Sequence, residues 1–129
     1  TSCASKKDLQ NCQSENRELT ANYQAVKSGN LLFTSGQIAI NPATGNVDAQ
    51  GIEAQTRQIC ENLKAVLAEA GCTLDNVIKT TCFLDNMNDF AAFNAVYGEY
   101  FTNKPARSCV EVAKLPKGVL AEVEVIAEL

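Results

Sequence analysis

The sequence predicts an α/β fold in which two helices pack on one face of a mixed sheet. Three observations predict it. Two segments carry apolar residues at three- and four-residue steps, β-branched or alternating runs of strand length surround them, and turn residues sit at the joints. The resulting order is β-β-α-β-α-β-β. A chain of 129 residues suits one domain, assigned to 20–129 behind a polar tail over 1–19.

Order is expected to begin near Tyr23. A hairpin then pairs 23–27 with 31–38 across Ser28-Gly29-Asn30, whose glycine supplies the positive-φ chemistry of a tight turn. Asn41-Pro42-Ala43-Thr44-Gly45-Asn46 reads as a loop. From about Gly51 to Ala70, Ile52, Ile59, Leu63, Val66, Leu67 and Ala70 form one helix face, closed by Gly71. Val77–Leu84 is a β-branched run that suits a strand covered on both faces. Asn88 or Asp89 is expected to cap a second helix with Phe90, Phe93, Tyr97 and Tyr100 along its buried stripe. Pro105 ends the connection, and strands over about 107–113 and 119–128 follow around Leu115-Pro116-Lys117-Gly118. Both crossovers are long enough for parallel pairing. The last strand is apolar on both faces, with Val119, Ala121, Val123 and Val125 against Leu120 and Ile126. Two helices cover only one face of a sheet, so the other is expected to pack on another copy of the chain.

Composition narrows the function classes. With 46% hydrophobic and 20% charged residues the chain reads as an ordinary globular protein. A net charge of -4, with basic residues scattered singly apart from Lys6-Lys7, argues against a nucleic-acid footprint. No apolar run reaches the roughly 18–20 residues of a membrane span. Six cysteines, at 3, 12, 60, 72, 82 and 109, lie too irregularly for a zinc set, and there is no histidine to complete one. Free thiols in a reducing compartment are expected, hence a cytoplasmic location. Asp8, Glu15 and Glu18 make the first residues unlike a signal or transit peptide.

The richest stretch is Pro105-Ala106-Arg107-Ser108-Cys109-Val110-Glu111-Val112. It sets a guanidinium, a planar donor fork suited to a carboxylate, at the mouth of a strand. A surface ion pair is the plainer use of such a residue. Strand parity puts Arg107, Cys109 and Glu111 on one face. Parity also puts Glu122 and Glu124 with Leu120 and Ile126, where Glu122 is either an edge charge or a desolvated general acid/base. Ser35-Gly36-Gln37 interrupts an apolar strand, either as a bulge or as a close approach of backbone to ligand. Ser35 and Cys109 lack a histidine to activate them as nucleophiles, although Arg107 could lower the Cys109 pKa. Asn94 and Tyr97 fall on the second helix, the tyrosine as core packing.

Leu31-Leu32-Phe33-Thr34-Ser35-Gly36-Gln37-Ile38, Asn41-Pro42, Asn88-Asp89-Phe90 with Asn94 and Tyr97, and the Pro105–Val112 block followed by Leu115-Pro116-Lys117 together resemble the RidA/YjgF reactive-intermediate deaminase family. The resemblance runs from about residue 24 to 129. It implies a chorismate-mutase-like subunit in a homotrimer with active sites between subunits. It also implies cofactor-independent hydrolysis of 2-imino acids such as 2-iminobutanoate and 2-iminopropanoate to 2-keto acids and ammonia. The imines would be supplied by pyridoxal-phosphate enzymes. The family's carboxylate-binding arginine falls on Arg107, its serine on Ser35 and its strand glutamate on Glu122, with Gly36, Cys109, Asn94 and Tyr23 as further substrate-binding positions. One motif departs. Where the family reads Gly-Pro-Tyr-Ser-Gln-Ala-Val, this chain has Thr20-Ala21-Asn22-Tyr23 before Gln24, so Asn22 occupies the tyrosine's place. A non-catalytic trimer binding a small carboxylate, an endoribonuclease and a redox-activated chaperone are the alternative readings.

Overall fold

The computed structural model describes residues 24–129. The predicted tail, Asn22, Tyr23, Cys3 and Cys12 lie outside the described residues.

Strands β1 (Ala25–Ser28) and β2 (Leu31–Thr34) form the expected hairpin. Ser28 pairs with Leu31, so the turn is the two-residue Gly29-Asn30, with Gly29 at φ 60°. The second strand is shorter than predicted. It stops at Thr34, and the chain rejoins the sheet only at Gln37, which exchanges backbone hydrogen bonds of 2.8 and 3.0 Å with Val123.

Helix α1 (Ile52–Glu69) buries Ile59, Leu63, Val66 and Leu67 of the predicted stripe together with Cys60, Gln55 and Thr56, while Ile52 and Ala70 are half-buried. Its end is the one the glycine forecast. Gly71 takes φ 80°, its N–H bonds Ala68 O, and Cys72 N–H bonds Leu67 O, the paired pattern that satisfies the last carbonyls.

After β3 (Val77–Leu84) a 3-10 turn at Met87–Asp89 leads into α2 (Phe90–Tyr100). The predicted cap is corrected here. Neither Asn88 nor Asp89 caps α2 with its side chain; instead Asn86 accepts from Asn88 N–H at 2.9 Å and Glu111 accepts from Met87 N–H at 2.8 Å. The intervening 3-10 turn moves the orphan N–H groups upstream of the helix proper. Strands β4 (Ala106–Glu111) and β5 (Ala121–Glu128) complete the chain.

The five strands lie in the order β1-β2-β5-β3-β4. Among the described strands only β3–β4 is parallel; β5 runs antiparallel to both of its neighbours, so β2 and β3 point the same way without touching. One crossover therefore makes a parallel pair and the other spans the central strand.

Val119, Ala121, Val123, Val125 and Ala127 are buried beneath the helices, with Thr80, Cys82 and Leu84 beside them. Among the described residues, none packs over the opposite face. Val26, Phe33 and Val110 on it are 50%, 41% and 45% exposed, and Lys79, Thr81 and Phe83 are only half-buried. The expectation of a β3 strand covered on both sides thus fails for one copy. Three large apolar residues bared on one sheet face are unusual for a surface that stays in water.

Candidate active site

The predicted site residues fall into two groups on opposite faces of the sheet. Arg107 is the second residue of β4, directly beside Thr80 of β3. Its side chain lies on the helix side, with its guanidinium carbon 4.7 Å from the Tyr97 ring centre and 5.4 Å from that of Phe90. Nη1 donates to Asn94 Oδ1 at 2.5 Å. Residues 90, 94 and 97 are one face of α2 at helical spacing, so the stacking and the hydrogen bond come from a single rigid element. The ion pairs among the described residues, Arg57–Glu99 and Lys64–Glu61, do not involve Arg107. The surface ion-pair reading of this arginine therefore finds no carboxylate partner among the described residues. Backed by two rings and held at one nitrogen, the guanidinium is arranged to receive an anion.

Cys109 sits two residues along on the same face, opposite Cys82 in register. Burial pushes its thiol up, and Arg107, which pulls the other way, does not win. The expected lowering of the Cys109 pKa by Arg107 is thereby corrected: burial outweighs the guanidinium. Cys60 and Cys82, deeper in the core, are pushed up to about 12 by burial.

The second group gathers Ser35, Gly36 and Glu122. Glu122 projects to the open face, as its parity predicts, and its side chain lies across Gly36. A Cβ on Gly36 would stand 2.7 Å from Glu122 Cδ and 2.9 Å from Cγ and Oε1. Gly36 lies in a bulge, since three residues separate Phe33 from Gln37 while two separate their partners Ile126 and Val123, and what comes close to it is the carboxylate stem of β5. Burial and the neighbouring Glu124 both raise the Glu122 pKa, burial foremost. A carboxyl so placed holds its proton to higher pH than one in water.

Beside this group a cleft of about 530 Å³ opens between the 35–42 segment and α1, lined in part by Ser35, Gly36, Gln37 and Asn62. Asn62 fixes that segment by donating to Ile38 O at 3.2 Å and Ile40 O at 2.8 Å. Sequence reasoning passed over Asn62, whose signal is a polar residue bordering an apolar helix stripe. It also took Tyr97 for core packing only and did not single out Thr80, whose hydroxyl meets Tyr97 Oη at 2.7 Å. Tyr23 lies outside the described residues. Among those described, no cluster of His, Cys, Asp or Glu has metal-holding geometry. No described helix is long and apolar enough to cross a membrane.

Within one chain, then, the structure joins Arg107, Asn94 and Cys109, and separately Ser35, Gly36 and Glu122. It does not join the two sets. Residues 15–129 match the family described as endoribonuclease L-PSP. A RutC family protein from Synechocystis is 55% identical over 109 residues, covering 82% of this chain and 84% of its own length. The 2-iminobutanoate/2-iminopropanoate deaminase of Escherichia coli is 50% identical over 108 residues, covering 81% and 84%. The crystal structure of E. coli TdcF with bound serine aligns with a TM-score of 0.78 at 43% identity, covering 82% and 86%. With the fold, the motifs and these relatives in agreement, the chain belongs to the endoribonuclease L-PSP family, the RidA/YjgF proteins that its sequence resembles.

Proposed function

We propose that this protein hydrolyses small 2-imino acids to 2-keto acids and ammonia, in sites shared between copies of the chain within a homotrimer. The observation that carries the reading is the guanidinium at the mouth of β4: Arg107 is stacked, hydrogen-bonded on one side to Asn94, and matched to no carboxylate among the described residues. A relative named for imine deamination and a relative solved with a bound amino acid support the same ligand class.

The site is composite because its halves occupy opposite faces of one sheet, and the bared apolar face offers the contact that would join them. Arg107 of one copy would then hold the substrate carboxylate before Ser35, Gly36 and Glu122 of the next. Asn94 and Cys109 would line the arginine side, and Tyr23 would border the serine side.

In the reaction a water oxygen bonds to the imine carbon while Glu122 takes up a proton from that water. The proton passes to the nitrogen of the tetrahedral carbinolamine. The remaining hydroxyl proton then moves, again through Glu122, to the nitrogen as the C–N bond breaks, so ammonia leaves with both protons of the water and the carbon keeps the oxygen as a ketone. Oxidation states are conserved, and no redox partner is required. A carboxyl with a raised pKa suits both halves of this transfer. Fixing the carboxylate by two hydrogen bonds leaves the imine carbon one orientation toward the water. Such imines are released by pyridoxal-phosphate enzymes that eliminate water from hydroxy amino acids, which gives the protein its place downstream of them.

The test generates 2-iminobutanoate in situ and follows its competition between hydrolysis and a semicarbazide trap. Wild-type protein should divert the imine to 2-oxobutanoate, and Arg107→Ala should not. A folded wild type that leaves the trapping rate unchanged overturns the reading. Shared sites make a second demand. Arg107→Ala and Glu122→Ala, each inactive, should regain about a quarter of wild-type activity on equimolar reassembly, since one site in about four draws both intact groups. No recovery in confirmed mixed trimers would place both groups in one copy.

A further inference from the structure

Behind Arg107 lies a buried polar contact that the reaction outlined above does not use. Thr80 is fully buried under the helices, and its hydroxyl meets the Tyr97 hydroxyl at 2.7 Å. Thr80 is also the register neighbour of Arg107. The Tyr97 ring that this contact fixes is the one that lies 4.7 Å from the guanidinium. Phe93 and Phe101 flank that ring at 5.7 and 4.5 Å, so its plane is held from both sides along α2. Asn94, from the same helix, sets the in-plane position of the guanidinium through Nη1.

We propose that Thr80 and Tyr97 are positioning residues for Arg107, their buried hydroxyl pair locking the aromatic platform on which the guanidinium meets the substrate carboxylate. The inference rests on Arg107 being the carboxylate anchor. A simpler core would fill these two places with valine and phenylalanine, since a buried hydroxyl pair gains little net stability over apolar groups of the same shape. What the pair adds is direction. An apolar Phe–Val contact lets a ring slide and tilt, whereas a bond of this length holds the ring edge at one point above β3. Because β3 and β4 are hydrogen-bonded neighbours at this register, that point is fixed relative to the Arg107 backbone. The fork is thus fixed at both ends: its root by the sheet, its head by α2. A carboxylate accepting two parallel hydrogen bonds is sensitive to this alignment in a way that a single contact is not.

The test uses the full chain with Tyr97→Phe, Thr80→Val, the double variant, and Thr80→Ser as the conservative replacement. Leu67→Val, a core truncation on α1 outside the Arg107 cluster, controls for general loosening. Carboxylate binding is common to ground and transition states, so each single variant should raise KM about five-fold with kcat within about two-fold of wild type. The double variant should be no worse than either single one, because both remove the same contact. Thr80→Ser should restore KM, and Leu67→Val should leave it unchanged. Additive effects in the double variant, an unchanged KM in both single variants, or an equal KM rise in Leu67→Val would each overturn the proposal. If wild type itself does not hydrolyse imines, the deaminase reading falls, and the positioning role is decided by nuclear magnetic resonance. The Arg107 Nε–Hε group should be ordered in wild type and Thr80→Ser and mobile in Thr80→Val and Tyr97→Phe. Equal order in all four proteins would overturn it.

Discussion

Replacing Gly36 with alanine tests the Glu122 half of the proposed site with a single methyl group. The glycine does not sit in the left-handed region, so alanine brings no backbone strain. The new Cβ would stand 2.7 Å from Glu122 Cδ. Carbon atoms in contact sit at about 3.5 Å or more, so the carboxyl must retreat by roughly 0.8 Å. Glu122 is only half-buried and its end can swing toward the open face, so the methyl is accommodated without the about 1–3 kcal/mol of a trapped overpacked core. The entropy that alanine removes from the unfolded chain, about 0.4–1 kcal/mol, offsets part of what remains. Chemistry is less forgiving. A displacement near 1 Å of a group that must meet a water and an imine costs on the order of 10²-fold in rate. Gly36→Ala is therefore expected to melt within a few degrees of wild type and to lose about two orders of magnitude in kcat/KM for 2-iminobutanoate hydrolysis. Thermal unfolding and the semicarbazide competition assay, run on the same preparation, read both quantities. Activity within two-fold of wild type would refute the reasoning, because it would show that the place of Glu122 over Gly36 does not matter to the reaction.

Arg107→Lys keeps the charge but loses the planar fork, and should raise KM at least about ten-fold, measured by the same assay. Glu122→Gln should abolish turnover while stabilising the fold at neutral pH. The folded-state pKa of Glu122 is raised, chiefly by burial, so its ionisation disfavours the native state as pH rises through that value. The melting-temperature gain should therefore be present at pH 7 and close toward pH 4, where the wild-type carboxyl carries its proton. Cys60 and Cys82, with thiols pushed up to about 12, should resist iodoacetamide at pH 8 until the protein is denatured, as peptide mapping of the label would show. Val110→Asp places a charge on the bared sheet face and should convert the proposed trimer to inactive monomers, seen by sedimentation.

Much of this molecule is legible in its sequence where local rules govern. Gly71 ends α1 because glycine alone takes the left-handed cap cheaply, and that signal is readable one residue at a time. The parity of Glu122 and of Arg107 follows from the period of a strand and needs no partner. What escapes is whatever depends on strand order. Nothing local says that the last strand inserts between β2 and β3, and without that order the separation of Arg107 from Glu122 cannot be read. Polar residues inside apolar stripes escape for a related reason. Gln55 is buried, donating to nearby Ala49 O and accepting from Leu120 N–H, the second a contact that exists only once helix and sheet have met. Thr80 hides among β-branched neighbours that suit a strand equally well. The missed cap at Asn86 reflects three residues of 3-10 turn, too short to leave a period.

The position of β5 has a consequence for how the chain is made. It follows every other strand in sequence, yet it lies between β2 and β3 and bonds to both. Until it arrives, the hairpin and the β3–β4 pair are two fragments with no edge in common, and α1 has no continuous floor to rest on. Folding on the ribosome must therefore wait, and the growing chain carries open strand edges that a chaperone would have reason to cover. A stop codon or frameshift before residue 121 would remove the strand that joins the two fragments, leaving no reduced sheet for the rest to fall back on.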